Sequence, residues 1–449
     1  MERRGTQGRL REENRRRVLS FLQRRGALTR AEIARLALLS RSTVSNIVGE
    51  LLVSELVREV DEPTTSRRRG HSGRPGALVT LNPAAGAAIG VDVDHQQLRV
   101  VVANLAHTVL AEAEHPLDID HDAREAMDIA AQFVDRVIDQ AGVKRDRVIG
   151  VGMALPGPIE AVRRKVHPSS ISPSWVGLED PARELSGRLG LPVYLDNDAN
   201  LGALAEMLWG AGQGVTEAAY VKVGTGIGAG LVIDGQIYRG RIGTAGEIGH
   251  TTMTEDGPVC RCGNRGCLER FAGVPALLES LRGSRGPDLT MQALFDLALS
   301  GDAGSRRVIA DAGRLIGIVV ANLCNLLNPE LVIIGGPLSV AGDILLDPLR
   351  ASFARCALPV VGATTELTVG SLGERATALG AVGLVLLEAE PLAGPGRHVV
   401  LDGARIPRRL QNRPDRHPAW EGGGRSDVEV MADHSGGERP QSLATSEHR

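Results

Sequence analysis

His250 is followed by Cys260, Cys262 and Cys267, so three of the chain's five cysteines fall within eight residues, ten residues past a histidine. No other stretch restricts the fold as tightly. Thiolates and an imidazole at such close spacing match a tetrahedral zinc site. Gly257, Gly263 and Gly266 let a short loop turn back on one ion. Four protein ligands close the coordination shell, so the spacing predicts a structural zinc rather than a catalytic one. The competing reading is three buried or redox-active cysteines near an unrelated histidine. Free cysteines, however, rarely cluster inside glycine-rich loops.

A chain of 449 residues, 43% hydrophobic, has enough apolar material for two or three cored domains. Aromatic residues are only 2%, which leaves no obvious platform for stacking single-stranded bases. No charge-free apolar run of about 18 residues is present, so no membrane span is expected. The start, Met1-Glu2-Arg3-Arg4, lacks an apolar signal segment. Few cysteines, clustered as metal ligands, suit a reducing cytoplasm. The net charge of −3 conceals an asymmetry: residues 1–81 hold 17 arginines against nine acids, a net +8, and the remainder is −11. A basic head on an acidic body predicts a polyanion partner for the head, although a solvated basic face gives the same count.

Within the head, helical spacing of Val18, Leu19 and Leu22 predicts a helix over 10–22, broken at Gly26. Thr29 with Glu32 forms a capping-box pattern ahead of a helix Arg30–Ala37. Ser40 caps a second helix, Arg41–Ser54, with the stripe Val44, Ile47, Val48, Leu51 and Leu52. Two short helices with a tight connection match helix-turn-helix geometry. Strands at 56–60 and 77–81 then form a wing, with Arg67, Arg68, Arg69 and Arg74 at its tip. Arg41, Ser42, Thr43, Ser45 and Asn46 lie on the first turns of the second helix, where side chains reach base edges and phosphates in a major groove. Arg74 is placed to enter a minor groove. A helical bundle used for dimerisation is the alternative.

From residue 82 the pattern alternates strands and helices, an α/β arrangement with loops at strand ends. Two related halves are expected, each opening on a strand pair near 88 and 218. Leu231–Ile233 and Gln236–Tyr238 flank Asp234-Gly235, a strong hairpin signal. The turn Gly224–Gly228 lets backbone amides approach a phosphate, or simply joins two packed strands. Asn197, Asp198 and Asn200 follow a strand. Their oxygens are good acceptors for sugar hydroxyls, and Asp198 is placed to act as a general base; equally, Asn197 or Asp198 caps the next helix, and the roles can coexist. Glu247 and Glu269 flank the metal loop, which would hold them rigidly toward a ligand or leave them in solvent. Beyond about 390 the chain is rich in Pro, Gly and Arg without periodicity, which predicts a mostly disordered tail.

Gly246-Glu247-Ile248-Gly249-His250 together with Cys260-Arg261-Cys262-Gly263-Asn264-Arg265-Gly266-Cys267-Leu268-Glu269 resembles the signature of the ROK family, which groups sugar kinases with sugar-responsive transcription factors. The resemblance covers about residues 10–388. It implies an actin-like sugar-kinase fold of two α/β lobes behind the winged helix-turn-helix. The expected limits are 1–81 for the head, 82–388 for the sugar-binding body and 389–449 for the tail. It implies that Asn197, Asp198, Glu247, His250 and Glu269 line a sugar site, with His250 also binding zinc, and that Gly335-Gly336 lies on the nucleotide side. One departure matters. The kinases' first phosphate loop, Asp-x-Gly-Gly followed by Thr or Lys, reads Asp92-Val93-Asp94-His95-Gln96 here. The lost glycines and the added carboxylate should repel ATP. The expectation is therefore a non-enzymatic, sugar-responsive regulator, binding operator DNA as a homodimer or higher oligomer. The alternative is an ATP-dependent sugar kinase with an appended DNA-binding head.

Overall fold

The computed structural model describes residues 10–388 apart from 12, 13, 16, 20, 23, 24, 61–76, 118–121, 161–164, 167–174, 176, 177 and 179. The wing-tip arginines Arg67, Arg68, Arg69 and Arg74 and the tail Pro391–Arg449 lie outside these residues.

The head follows from its caps. Residues 14, 15, 17–19, 21, 22 and 25 are helical, and Gly26, at φ +73°, ends that helix. The Thr29 hydroxyl accepts from the Glu32 amide at 3.2 Å while the Glu32 carboxylate accepts from the Thr29 amide at 2.9 Å, completing the expected box. The helix Arg30–Ala37 stops at Leu38, which takes the left-handed conformation at φ 54°. The chain then bends by 116° into the helix Arg41–Val53, within the range of helix-turn-helix pairs. Ser40 caps the second helix, accepting from the Thr43 amide at 3.1 Å. Strand β1 (Leu28–Thr29) joins β2 (Val57–Val60) and β3 (Leu78–Leu81) in a sheet of order β1-β3-β2. The hairpin β2–β3 is the expected wing stem. Strand β1 was not expected, because two residues that also form a cap carry no periodicity.

The body holds two sheets built to one plan. The first uses β4 (Ala87–Val93), β5 (Gln97–Asn104), β6 (Val109–Pro116), β7 (Val148–Leu155) and β10 (Val193–Asn197), in the order β10-β7-β4-β5-β6. A small hairpin of β8 (Ile159–Glu160) and β9 (Lys165–Val166) lies between β7 and β10 in sequence. The second sheet uses β11 (Ala218–Val223), β12 (Ile227–Ile233), β13 (Gln236–Tyr238), β14 (Leu331–Gly335) and β15 (Glu366–Val369), in the order β13-β12-β11-β14-β15. In each, three antiparallel strands in series are followed by two parallel ones on the other side of the first. The two halves expected near 88 and 218 are therefore present. Strand β6, which follows a turn at Ala106-His107, was not expected. Its burial alternates strictly between half-buried and exposed, as an edge strand's does.

One helix ties the halves together. Ala376–Glu388 packs on β4, β7, β5 and β10 and on the helix Asp198–Trp209. It approaches so closely that a Cβ at Gly152 would lie 2.0 Å from the Ala381 carbonyl oxygen, so only glycine fits there. A single apolar cluster continues from this helix (Val382, Val385, Leu386) through Ala88, Val101 and Ala103 into the head (Val44, Ile47, Leu51, Val79, Leu81). The helix Ala303–Leu327 has the length and hydropathy of a membrane span. Its Ile309, Ala312, Ile316 and Val320 are fully buried in the second half's core, against the helix Asp343–Cys356.

Candidate functional site

The metal loop is built from short backbone bridges rather than regular elements. Thr252 pairs with Cys267, and Val259 with Arg265. Gly266, at φ +62°, sits where a Cβ would meet the Thr254 carbonyl oxygen at 1.7 Å, so the loop closes only with glycine there. The result brings one ligand atom each from His250, Cys260, Cys262 and Cys267 within 4.8 Å of one another. The His250 Nδ1–Cys260 Sγ distance is 3.6 Å and the Cys262 Sγ–Cys267 Sγ distance is 3.7 Å. A tetrahedral ion with Zn–S and Zn–N bonds of ~2.3 and ~2.05 Å requires edges of about 3.6 Å for N–S and about 3.8 Å for S–S. The donor set and both edges therefore fit. Burial, reinforced by neighbouring thiols, pushes the Cys267 thiol up to about 12, and burial raises Cys260 too. A cation, by replacing those protons, removes that conflict. Among the described residues this cluster can hold a metal ion.

The same loop presents the acids. His250 turns Nδ1 toward Cys260 and Nε2 toward Glu247, 3.8 Å away. Burial first, then the charges of Asp198 and Glu269, push the Glu247 carboxyl up to about 7, so the three carboxylates share one electrostatic environment. Glu269 opens the helix Glu269–Ala272, and its Oε2 accepts from the Ile227 amide at 3.1 Å. The turn Gly224–Gly228 thus is a β11–β12 hairpin turn, with one of its outgoing amides already taken by a carboxylate.

Asn197 and Asp198 close β10 and open the helix Asp198–Trp209. Asn197 does cap that helix, accepting from the Ala199 and Asn200 amides at 2.9 and 3.1 Å, and its amide donates to the Gly157 carbonyl at 2.9 Å. Beneath it Asp196 is gripped by Arg239, at 2.9 Å from Nε, and by the Asn200 amide at 3.1 Å. The expected acceptors are therefore locked in place by their neighbours.

Lys222 is the residue that sequence reasoning missed. It stands on β11 in the otherwise uncharged run Ala218–Val223, and a lysine inside a buried strand is the signal that was available. Its side chain is only 10% exposed, and its Nζ lies 2.7 Å from Asp198 Oδ2 and 3.0 Å from Asp94 Oδ2. Burial works against the ammonium, but Asp198, Asp94 and Asp92 more than offset it and hold its pKa well above the ordinary lysine value. Burial likewise opposes ionisation of Asp94, yet Lys222 and His95 hold that carboxyl below its usual range. Asp92 lacks such a direct partner. Its Oδ1 is buried without a hydrogen bond, and burial pushes its carboxyl up to about 7 against the pull of Lys222. The replaced phosphate loop accordingly differs from expectation in its physics. Asp94 does not present a bare charge; Lys222 neutralises it, and the pair fills the space. What remains between Asp92, Asp94, Lys222, Tyr220 and Gly336 is a cavity of about 40 Å³, far below the ~300–1,000 Å³ of ligand pockets.

In the head, Arg41, Ser42, Ser45 and Asn46 are exposed and Thr43 half-exposed, all on the first turns of the helix Arg41–Val53, while Val44, Ile47, Val48 and Leu51 face inward. The structure thus keeps these five free of the core.

Fold and sites together define a class: a helix-turn-helix head joined to a sugar-kinase-type body. The chain belongs to the ROK family, whose profile matches residues 88–388. A MarR-family helix-turn-helix profile matches residues 14–68. The xylose repressor of Caldicellulosiruptor bescii is 30% identical over 383 residues, covering 82% of this chain and 94% of that protein. The glucokinase of Halalkalibacterium halodurans is 34% identical over 314 residues, covering 66% of this chain and 94% of the enzyme. The crystal structure of a ROK family transcriptional regulator, homologous to the Escherichia coli Mlc protein, superposes with a TM-score of 0.69 at 25% identity, over 84% of this chain and 96% of that one.

Proposed function

We propose that this chain is a sugar-responsive DNA-binding transcriptional repressor. The head, residues 1–81, grips operator DNA through Arg41, Ser42, Thr43, Ser45, Asn46 and the wing arginine Arg74. The body, residues 82–388, binds a small sugar or sugar derivative between Asn197, Asp198, Glu247, His250 and Glu269. A structural zinc on His250, Cys260, Cys262 and Cys267 holds the acids in place. The repressor relative covers 82% of this chain, whereas the kinase relative covers 66%. The protein acts as a homodimer or higher oligomer on an inverted repeat, in the cytoplasm where operator DNA and a reducing milieu meet. Sugar binding releases DNA by favouring the body geometry that holds the heads wrongly spaced.

The observation that carries a binding rather than a catalytic role is Lys222. Its ion pairs with Asp94 and Asp198 stand where the altered first phosphate loop meets the candidate base, and the ammonium takes up Asp198 Oδ2 itself. The retained Asp198 and the glucokinase relative favour the second reading, an ATP-dependent sugar kinase with an appended head. Two assays separate them. Fluorescence anisotropy with duplexes selected from a random pool should show tight binding that falls steeply with salt and is reversed by one sugar of a panel. Turnover of that panel with millimolar ATP should stay at background; rates of ~1–10³ s⁻¹, typical of enzymes, would establish the kinase reading.

A further inference from the structure

Asp198 is the acceptor for a sugar hydroxyl in the reading above, and this inference rests on that reading. On the far side of Asp198 lies Lys222, 2.7 Å away, then Asp94, 3.0 Å from the same ammonium. Asp198 gives Oδ2 to Lys222 and Oδ1 to the Ala199 amide at 2.8 Å, so a hydroxyl held by Asp198, and any substituent on it, stands beside this cluster. Asp94 is carried by the turn between β4 and β5 of the first sheet and Lys222 by β11 of the second, so the pair also fastens one half of the body to the other.

The charges on this side are unbalanced. Asp92, Asp94, Asp198, Glu247 and Glu269 line or adjoin the cleft, and Lys222 is the ammonium among them, already shared by two carboxylates. The neighbouring guanidinium groups are engaged: Arg239 with Asp196, Arg99 with Glu114 and Glu374, and Arg261 lies 3.7 Å from Glu269. Asp92 lines the remaining cavity of about 40 Å³ with an oxygen that has no partner. A phosphate ester carries about −1.5 to −2 charges and three acceptor oxygens. To enter, it would have to take Lys222 from Asp94 and leave that half-buried carboxylate with the His95 amide but without its cation, beside an incoming anion, which is unfavourable. A neutral hydroxyl asks for none of this; it donates to Asp198 and leaves the ion pairs intact.

We propose that the cleft selects an uncharged, unphosphorylated sugar, and that the Lys222–Asp94–Asp198 cluster is the specificity element that excludes the corresponding sugar phosphate. The regulator would then sense free sugar, ahead of any kinase that phosphorylates it.

The test is isothermal titration of the full-length, zinc-loaded protein with matched pairs: xylose, glucose and N-acetylglucosamine, each against its terminal phosphate ester. The expected result is that a neutral sugar binds at least tenfold more tightly than its ester. In Asp94→Asn, which leaves Lys222 less compensated, that preference should narrow at least threefold; thermal melting confirms that the variant folds. An ester that binds wild-type protein as tightly as its parent, or more tightly, overturns the inference while leaving the sugar site standing. Heat from neither member of any pair overturns the sugar site itself, and this inference with it.

Discussion

Lys222 shows how much one residue decides in this molecule. An ammonium buried between two carboxylates costs desolvation and regains it only through close pairing; at 2.7 and 3.0 Å both pairs are close enough. The same single-residue logic governs the metal loop. Cys262 supplies one of four donors, and three donors no longer close a structural shell. Cys262→Ala should lower bound zinc from about one per chain to well below that, measured by elemental analysis after dialysis, and should lower the melting temperature of the body. Because Glu247 and His250 are held by that loop, its sugar response should weaken as well. Full zinc occupancy in the variant would remove the ligand assignment.

At the scale of elements, a side-chain contact fastens the turn between β5 and β6 to the helix Asp198–Trp209. Trp209 Nε1 donates to His107 Nδ1 at 3.0 Å, with the rings tilted at 4.9 Å between centroids. His107 holds φ +63° while Asn104 accepts from the Ala106 and Thr108 amides to close the turn. The contact needs a neutral imidazole with Nδ1 free to accept, and burial pushes His107 down to about 4. An unfolded histidine titrates near 6.5, so this stabilisation is complete above pH ~6.5 and is lost as pH falls from there through about 4. The loss should reach roughly 3 kcal/mol at the acid end. Urea melts of wild type and His107→Gln at pH 7.5 and 4.5 should show the variant losing less stability over that interval. Equal losses would mean that His107 is protonated in the folded protein.

At the scale of the whole molecule, one apolar cluster runs from Val44 and Leu51 through Val79 to Val101 and Val382, joining head and first sheet. Head and first half should therefore unfold together. Calorimetry should give one transition for both, and Val101→Asp, which puts a charge at a fully buried position in that cluster, should lower both by several degrees. Two separate transitions in wild-type protein would show that the shared cluster does not couple them. On the function proposed above, the same continuity offers a path for a sugar signal. The helix Ala376–Glu388 touches the first sheet, the helix that begins at Asp198, and the head cluster, so a shift at Asp198 has packed side chains to move.

The local grammar of this chain was written in its sequence. Caps at Thr29 and Ser40, the hairpin at Asp234-Gly235, the ligand spacing from His250 to Cys267, and the acceptors after β10 depend on residues near one another in the chain, where side-chain chemistry and short-range geometry decide the outcome. Strand β1 was not legible, because it is made by its partner strand rather than by its own pattern, and β6 carries only a short Ala111-Glu112-Ala113-Glu114 alternation that pairing with β5 completes. Tertiary structure alone decided the contacts between distant segments: Lys222 reaching 128 residues back to Asp94, Trp209 meeting His107, and the C-terminal helix closing on Gly152. Sequence states which groups must find partners; only the folded chain, which settles the distances and the desolvation, states which partners they find.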